Sequence, residues 1–158
     1  MERVSIFVDV QNIYYTTRQH YGRNFDYNKF WAKATEGRQV IKAFAYATYR
    51  GDEKQTEFQN ILRAIGFEVK LKPFISRRDG SAKADWDVGI AIDVLEHSPD
   101  VDKIILASGD GDFDLLLSAI HRKHGTKSDV YGVQALTANS LIKEATNFIA
   151  ITEPLLLN

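Results

Sequence analysis

Short β-branched and aliphatic runs alternate with stretches of helical periodicity almost throughout this chain, and this pattern constrains the fold most. The strand-like runs are Arg3 to Val8, Val40 to Ala47, Phe67 to Leu71, Lys103 to Ala107, Ser128 to Gly132 and Phe148 to Ile151. Helical spacing of apolar residues separates them over Asp26–Lys33, Gln55–Ile65, Trp86–His97, Phe113–His124 and Asn139–Ala145. Phe58, Ile61, Leu62 and Ile65 mark the expected buried face of the second helix, and Val88, Ala91, Ile92 and Leu95 that of the third. Strands that alternate with helices, and that read as continuous hydrophobic runs, predict an α/β fold with a parallel sheet covered on both faces. Ligands in such folds bind beyond the carboxyl ends of the strands, where the strand order reverses.

A chain of 158 residues favours one domain over 1–158 and can bury a core without staples. It contains no cysteine, which excludes disulfide scaffolds, thiolate zinc sites and cysteine nucleophiles. No apolar run reaches the roughly 20 residues of a bilayer span. Met1-Glu2-Arg3-Val4 lacks the pattern of a signal peptide, so a soluble, cytoplasmic protein with no membrane partner is expected.

The net charge of −1 conceals a crowded distribution. Nine of the 13 Asp lie between Asp79 and Asp114, where even spacing would put about three. Asp9 follows the first strand, with Asn12 three residues on, and Asp110 and Asp112 follow the Lys103–Ala107 strand in the same way. Asp85 and Asp87 open the helix after a basic loop. If the two strands are parallel neighbours, these carboxylates converge on one sheet edge. Carboxylates that close must either share a cation or keep protons. A hard all-oxygen set suits Mg²⁺ or Mn²⁺, and such sites commonly hydrolyse phosphate esters.

The remaining features have quieter readings. Gly109 and Gly111 let the backbone approach a ligand closely or make a tight turn. Neither a dinucleotide fingerprint nor a P-loop is present. Asp85 serves equally as a cap, Asp114 reads as solvated or supporting, and Asp93 falls off the face of Asp87. His121 and His124 read as a solvated basic helix end. Lys70, Lys72, Arg77, Arg78 and Lys83, with Phe74 and Trp86, form a basic and aromatic stretch that suits a single-stranded polynucleotide or a protected strand edge.

Three segments, Val8-Asp9-Val10-Gln11-Asn12, Lys83-Ala84-Asp85-Trp86-Asp87-Val88 and Ser108-Gly109-Asp110-Gly111-Asp112-Phe113, resemble the signature blocks of NYN domains, most nearly the LabA-like branch of the PIN-like nuclease superfamily. The resemblance implies a PIN-like three-layer sandwich and a metal-dependent nuclease site, with RNA, favoured as single strands, the substrate. By position, Asp9, Asp87, Asp110 and Asp112 match the acidic metal-binding residues and Asn12 the polar residue after the first acid. Ser108 matches a hydroxyl that would meet a ligand carboxylate or phosphate, and Lys83 a basic residue facing phosphate, with Arg77 and Arg78 nearby. The chain departs from the pattern at Val10-Gln11, where a Gly before the Asn is common. It departs again at Ala145-Thr146-Asn147-Phe148, where relatives carry an acid after the Ala. The second departure keeps a catalytically weak or inactive RNA-binding module as the alternative. A homodimer or a protein partner could supply specificity. A phosphatase is the remoter alternative, because no Asp-x-Asp pair follows the first strand.

Overall fold

The structure is a computed structural model that describes residues 1–49, 51–73, 75–76, 82–83 and 85–158, with side chains in all of these except 73–83. Six parallel strands form the central sheet: β1 (Glu2–Asp9), β2 (Arg38–Tyr49), β3 (Glu68–Pro73), β6 (Lys103–Ala107), β7 (Lys127–Gly132) and β8 (Asn147–Ala150), in the order β3-β2-β1-β6-β7-β8. The expected parallel α/β arrangement is therefore observed. The short strands β4 (Ile75–Ser76) and β5 (Ala82–Lys83) pair antiparallel outside it.

Alternation along the strands builds two cores. Val4, Ile6 and Val8 of β1 face one side with Ala43, Ala45 and Ala47 of β2. The helices α1 (Val10–Tyr21), α2 (Tyr27–Thr35) and α3 (Glu53–Ile65) cover that side through Ile13, Phe30, Ala34 and Leu62. Phe7, Phe44, Tyr46, Ile104 and Leu106 face the other side. There they pack on α4 (Asp87–His97), α5 (Asp114–His124) and α6 (Asn139–Glu144) through Ile90, Val94, Leu116, Leu117, Ile120 and Leu141. Burying one such aliphatic side chain contributes roughly 1.5–3 kcal/mol.

Three sequence expectations are corrected. Helix α1 was not anticipated. Asp9 caps it, accepting the Asn12 N–H, and Gly22 ends it in the left-handed conformation at φ 67°. Its buried face is only Val10, Ile13 and Thr17, so the apolar signal is thin. In α3 the buried residues are Gln59 and Leu62, while Ile61 is exposed. In α4 the buried residues are Ile90, Asp93 and Val94, while Val88 (72% exposed), Ile92 (57%) and Leu95 turn outward. That helix is apolar nearly all round, so periodicity does not choose its inner face.

The amino end of the sheet carries a charge network. Asp129 accepts from Arg38 at 3.2 Å and from Asn147 at 2.9 Å, and Lys103 pairs with it at 3.1 Å. Glu2 completes it by accepting from Arg38 at 2.8 Å.

Candidate metal centre

The strand order reverses between β1 and β6, and the carboxyl ends of these strands are where a parallel sheet places its ligand sites. Asp9 ends β1 and is nearly buried. One of its oxygens accepts the Asn12 N–H at 3.4 Å, and the other accepts the Ser108 hydroxyl at 3.2 Å. The Ser108 hydroxyl in turn accepts the Asp110 N–H at 3.2 Å. The Asn12 side-chain oxygen accepts the Gly109 N–H at 2.9 Å, so the first turn of α1 is bonded to the loop after β6. Within that loop Asp110 caps the following turn by accepting the Asp112 N–H at 2.9 Å.

Asp87 arrives from α4. Its N–H donates to Asp85 at 3.3 Å, so Asp85 acts near the helix start, as a cap does. Trp86 anchors this corner: its indole N–H donates to the Ala47 carbonyl at 2.9 Å, and its ring packs on Tyr46. Lys72 lies 5.2 Å from the centre of the Trp86 ring and donates to the Asp85 carbonyl at 3.2 Å.

These elements bring Asp87, Asp110 and Asp112 together, with one carboxylate oxygen of each within 4.8 Å of the others. Asp9 is buried, close enough for its charge to act on Asp87, and is not a fourth member of this group among the described residues. The electrostatic consequence is clear. Burial, a hydrogen bond shared with Asp110 and the charges of Asp110, Asp9 and Asp85 push Asp87 up to about 8. Burial pushes Asp9 up to about 6, against the lowering effect of the Asn12 and Ser108 hydrogen bonds. Without a cation, the edge holds protons that ordinary carboxylates release near pH ~4. An all-carboxylate donor set with this appetite for positive charge fits a hard divalent cation.

The other predicted residues divide. Ser108 is fully buried, with its hydroxyl engaged by Asp9 and the Asp110 N–H. Arg77 and Arg78 lie outside the described residues, as does Phe74, and of Lys83 only the strand placement is described. Lys70 turns away from the cluster: it donates to Asp93 at 2.6 Å and sits 4.5 Å from the Phe44 ring centre. Asp93 is buried and also accepts from the Tyr46 hydroxyl at 2.7 Å, which explains its place off the face of Asp87. Asp114 opens α5 and accepts the N–H of its neighbour Leu115.

The two loop glycines serve packing against the chain itself. A Cβ on Gly109 would stand 3.0 Å from the Leu136 carbonyl oxygen, and one on Gly111 would stand 2.7 Å from the Ala138 Cβ. The close approach anticipated for a ligand is made by the 136–138 segment, and the Ala138 N–H donates to the Gly109 carbonyl at 3.1 Å. Thr146, where an acid was expected, accepts the Ser128 N–H at the amino end of β7, opposite the cluster. Its lack of charge therefore takes no carboxylate from the site.

The chain is 56% identical to a protein of unknown function from Vibrio parahaemolyticus whose crystal structure superposes with a TM-score of 0.95, over 99% of this chain and 96% of that one. It is 27% identical over 160 residues to the low amplitude and bright protein LabA of Synechococcus elongatus, covering 96% of this chain and 84% of the relative. A carbohydrate kinase from Agrobacterium tumefaciens shares the fold alone, with 13% identity and a TM-score of 0.53 over 94% of this chain and 60% of the kinase. No helix of the described residues is long and apolar enough to cross a membrane. The NYN domain model matches residues 3–153, and the chain belongs to the NYN domain family.

Proposed function

We propose that this protein is a Mg²⁺- or Mn²⁺-dependent nuclease that hydrolyses phosphodiester bonds in RNA. The observation that carries the reading is the meeting of Asp87, Asp110 and Asp112 at the switch point of a parallel sheet. Membership of the NYN family, which resembles the PIN-like nucleases, supports the same chemistry.

In this reading the three carboxylates hold the cation, and Asp9 adds buried negative charge nearby. When bound, such a cation polarises the scissile phosphate and activates water. The residues of the chain do the positioning. Ser108 orients Asp9 and the Asp110 backbone, the carboxylate contact being one of the two expected of it, and Asn12 holds the acidic loop through Gly109. Lys83, Arg77 and Arg78 are proposed to meet substrate phosphates.

End-labelled single-stranded RNA and DNA of matched sequence, incubated with Mg²⁺, Mn²⁺ or EDTA, test this function. Metal-dependent cleavage of RNA that is lost in a parallel preparation of Asp110→Asn is expected. Cleavage that persists in EDTA or in the variant would overturn it. RNA retention without turnover would leave a binding module.

A further inference from the structure

The seven tyrosines of the chain fall into two groups. Tyr27, Tyr46 and Tyr131 are buried, and Tyr21 is tied to the fold by donating to the Ile151 carbonyl at 2.7 Å. Tyr14, Tyr15 and Tyr49 are about half exposed, at 51%, 52% and 48%. Among the described residues these three are the only exposed Phe, Tyr or Trp side chains, and none of their hydroxyls hydrogen-bonds to a described residue. Exposed rings cost solvation, and scattered ones need no explanation. All three belong to the elements that meet the carboxyl end of the sheet: Tyr14 and Tyr15 early in α1, and Tyr49 at the end of β2. Tyr49 ends β2 three residues beyond Tyr46, the partner of Asp9 in the ladder, so it projects past the edge where the carboxylates meet. By strand alternation it shares the face of Ala43, Ala45 and Ala47, which α1 covers. Tyr14 and Tyr15 lie two and three residues beyond Asn12 in α1, about 3–5 Å along its axis from it. Their rings meet edge to face, 5.4 Å between centres. Arg18 follows within one turn of both, exposed and, among the described residues, without an acidic partner.

We propose that Tyr14, Tyr15 and Tyr49 form a base-stacking platform that receives single-stranded polynucleotide on the α1 side of the acidic edge, with Arg18 on its backbone. This deepens the proposed function, resting on it for the direction of the strand across the edge. Aromatic faces and a free cation beside a phosphate-directed acidic centre are the elements by which single strands are held without base readout. A duplex keeps its bases stacked on one another and offers them no faces, so the platform selects single strands. The platform is distinct from the stretch around Arg77, Arg78 and Lys83, which lies on the α4 side of the site in sequence.

The test measures anisotropy of labelled single-stranded and duplex RNA of matched sequence, with the Asp110→Asn background preventing turnover. Hydrolysis of bis(p-nitrophenyl) phosphate in Mn²⁺ is followed separately on the otherwise wild-type chain. Tyr14→Ala/Tyr15→Ala should weaken single-strand binding by roughly tenfold or more, as expected of lost base stacking. Tyr14→Phe/Tyr15→Phe should bind within about threefold of the parent, because the ring faces remain. Neither pair should alter hydrolysis of the small diester or the melting temperature. Arg18→Ala should reduce the slope of log affinity against log salt by about 0.7, whereas the tyrosine variants should leave it unchanged. Equal affinity of the parent and the alanine pair overturns the platform, as does a parent that binds no single strand or binds duplex equally well. Recovery of the same surface by a protein partner but not by RNA also overturns it. Loss of bis(p-nitrophenyl) phosphate hydrolysis in every preparation, with stacking intact, would instead count against the hydrolytic reading alone.

Discussion

The Asn12 side-chain oxygen accepts the Gly109 N–H at 2.9 Å, which joins the helix that follows β1 to the loop that follows β6. Asn12 therefore acts on the two acids of that loop by holding their backbone. Removing a bond that orients ligands commonly lowers metal affinity or activity by about 10–100-fold. Asn12→Ala should lose Mn²⁺ affinity in that range while melting close to the parent, as calorimetric titration and thermal unfolding would show. Unchanged affinity would mean that the loop holds its shape without Asn12.

The protons retained by Asp9 and Asp87 predict a pH effect on the metal-free protein. Their folded values of about 6 and about 8 lie above the ordinary carboxylate range. The folded state therefore binds more protons than the unfolded state over that interval. These groups contribute stability that is present below about pH 4 and is lost as pH rises towards about 8. Melting of chelator-treated protein should thus be lower near pH ~8 than the carboxylates alone would allow near pH ~5, and added Mn²⁺ should remove the difference. Asp87→Asn should flatten the upper part of the profile. A profile with no such slope in the parent, or one that Mn²⁺ leaves in place, would contradict the electrostatic picture.

Crowding at Gly111 predicts a compensating pair. Any side chain there meets the Ala138 Cβ at 2.7 Å, and overpacking of this kind costs roughly 1–3 kcal/mol. Gly111→Ala should displace Asp110 and Asp112, with a larger loss of metal affinity than of melting temperature. Gly111→Ala/Ala138→Gly should recover most of it. Failure of the second change to restore binding would show that the glycine matters for something other than this contact.

Asp93 gives a prediction of the opposite kind. It is buried between the Tyr46 hydroxyl at 2.7 Å and the Lys70 ammonium at 2.6 Å, away from the cluster. Asp93→Ala leaves both partners unsatisfied and should destabilise the fold by about 3 kcal/mol. Metal affinity of the folded fraction should stay at the parent value. Denaturant unfolding and Mn²⁺ titration of the same sample separate the two effects.

Much of this architecture was legible in the sequence because buried parallel strands read as unbroken aliphatic runs. Ile104, Ile105 and Leu106 are each fully buried, and the Asp110 and Asp112 acids follow at the carboxyl end where a parallel sheet places its sites. What escaped were features decided by packing. Helix α1 carries Tyr14, Tyr15, Arg18 and His20 on its exposed side, and its short buried face is completed by the hydroxyl of Thr17. Val88, Ile92 and Leu95 of α4 have the spacing of a core face, yet Asp93 takes the inner position because Tyr46 and Lys70 meet its charge there. Pairwise contacts across the sheet have no periodic signature along the chain. Ser108 illustrates this for the site: its residue type suggests a hydroxyl partner for a carboxylate or phosphate, but only the register of β1 against β6 turns that hydroxyl towards Asp9.

Calorimetric titration of Mn²⁺ into the chelator-treated protein, with Asp87→Asn and Asp110→Asn in parallel, tests most directly whether the three carboxylates form a cation site. The account predicts saturable binding to the parent with release of protons near pH ~7, since Asp87 is partly protonated there. Affinity should fall by tenfold or more in each variant, on the order expected when a charged ligand is lost. Binding of equal strength in the parent and in both variants, or no binding to the parent, would contradict it.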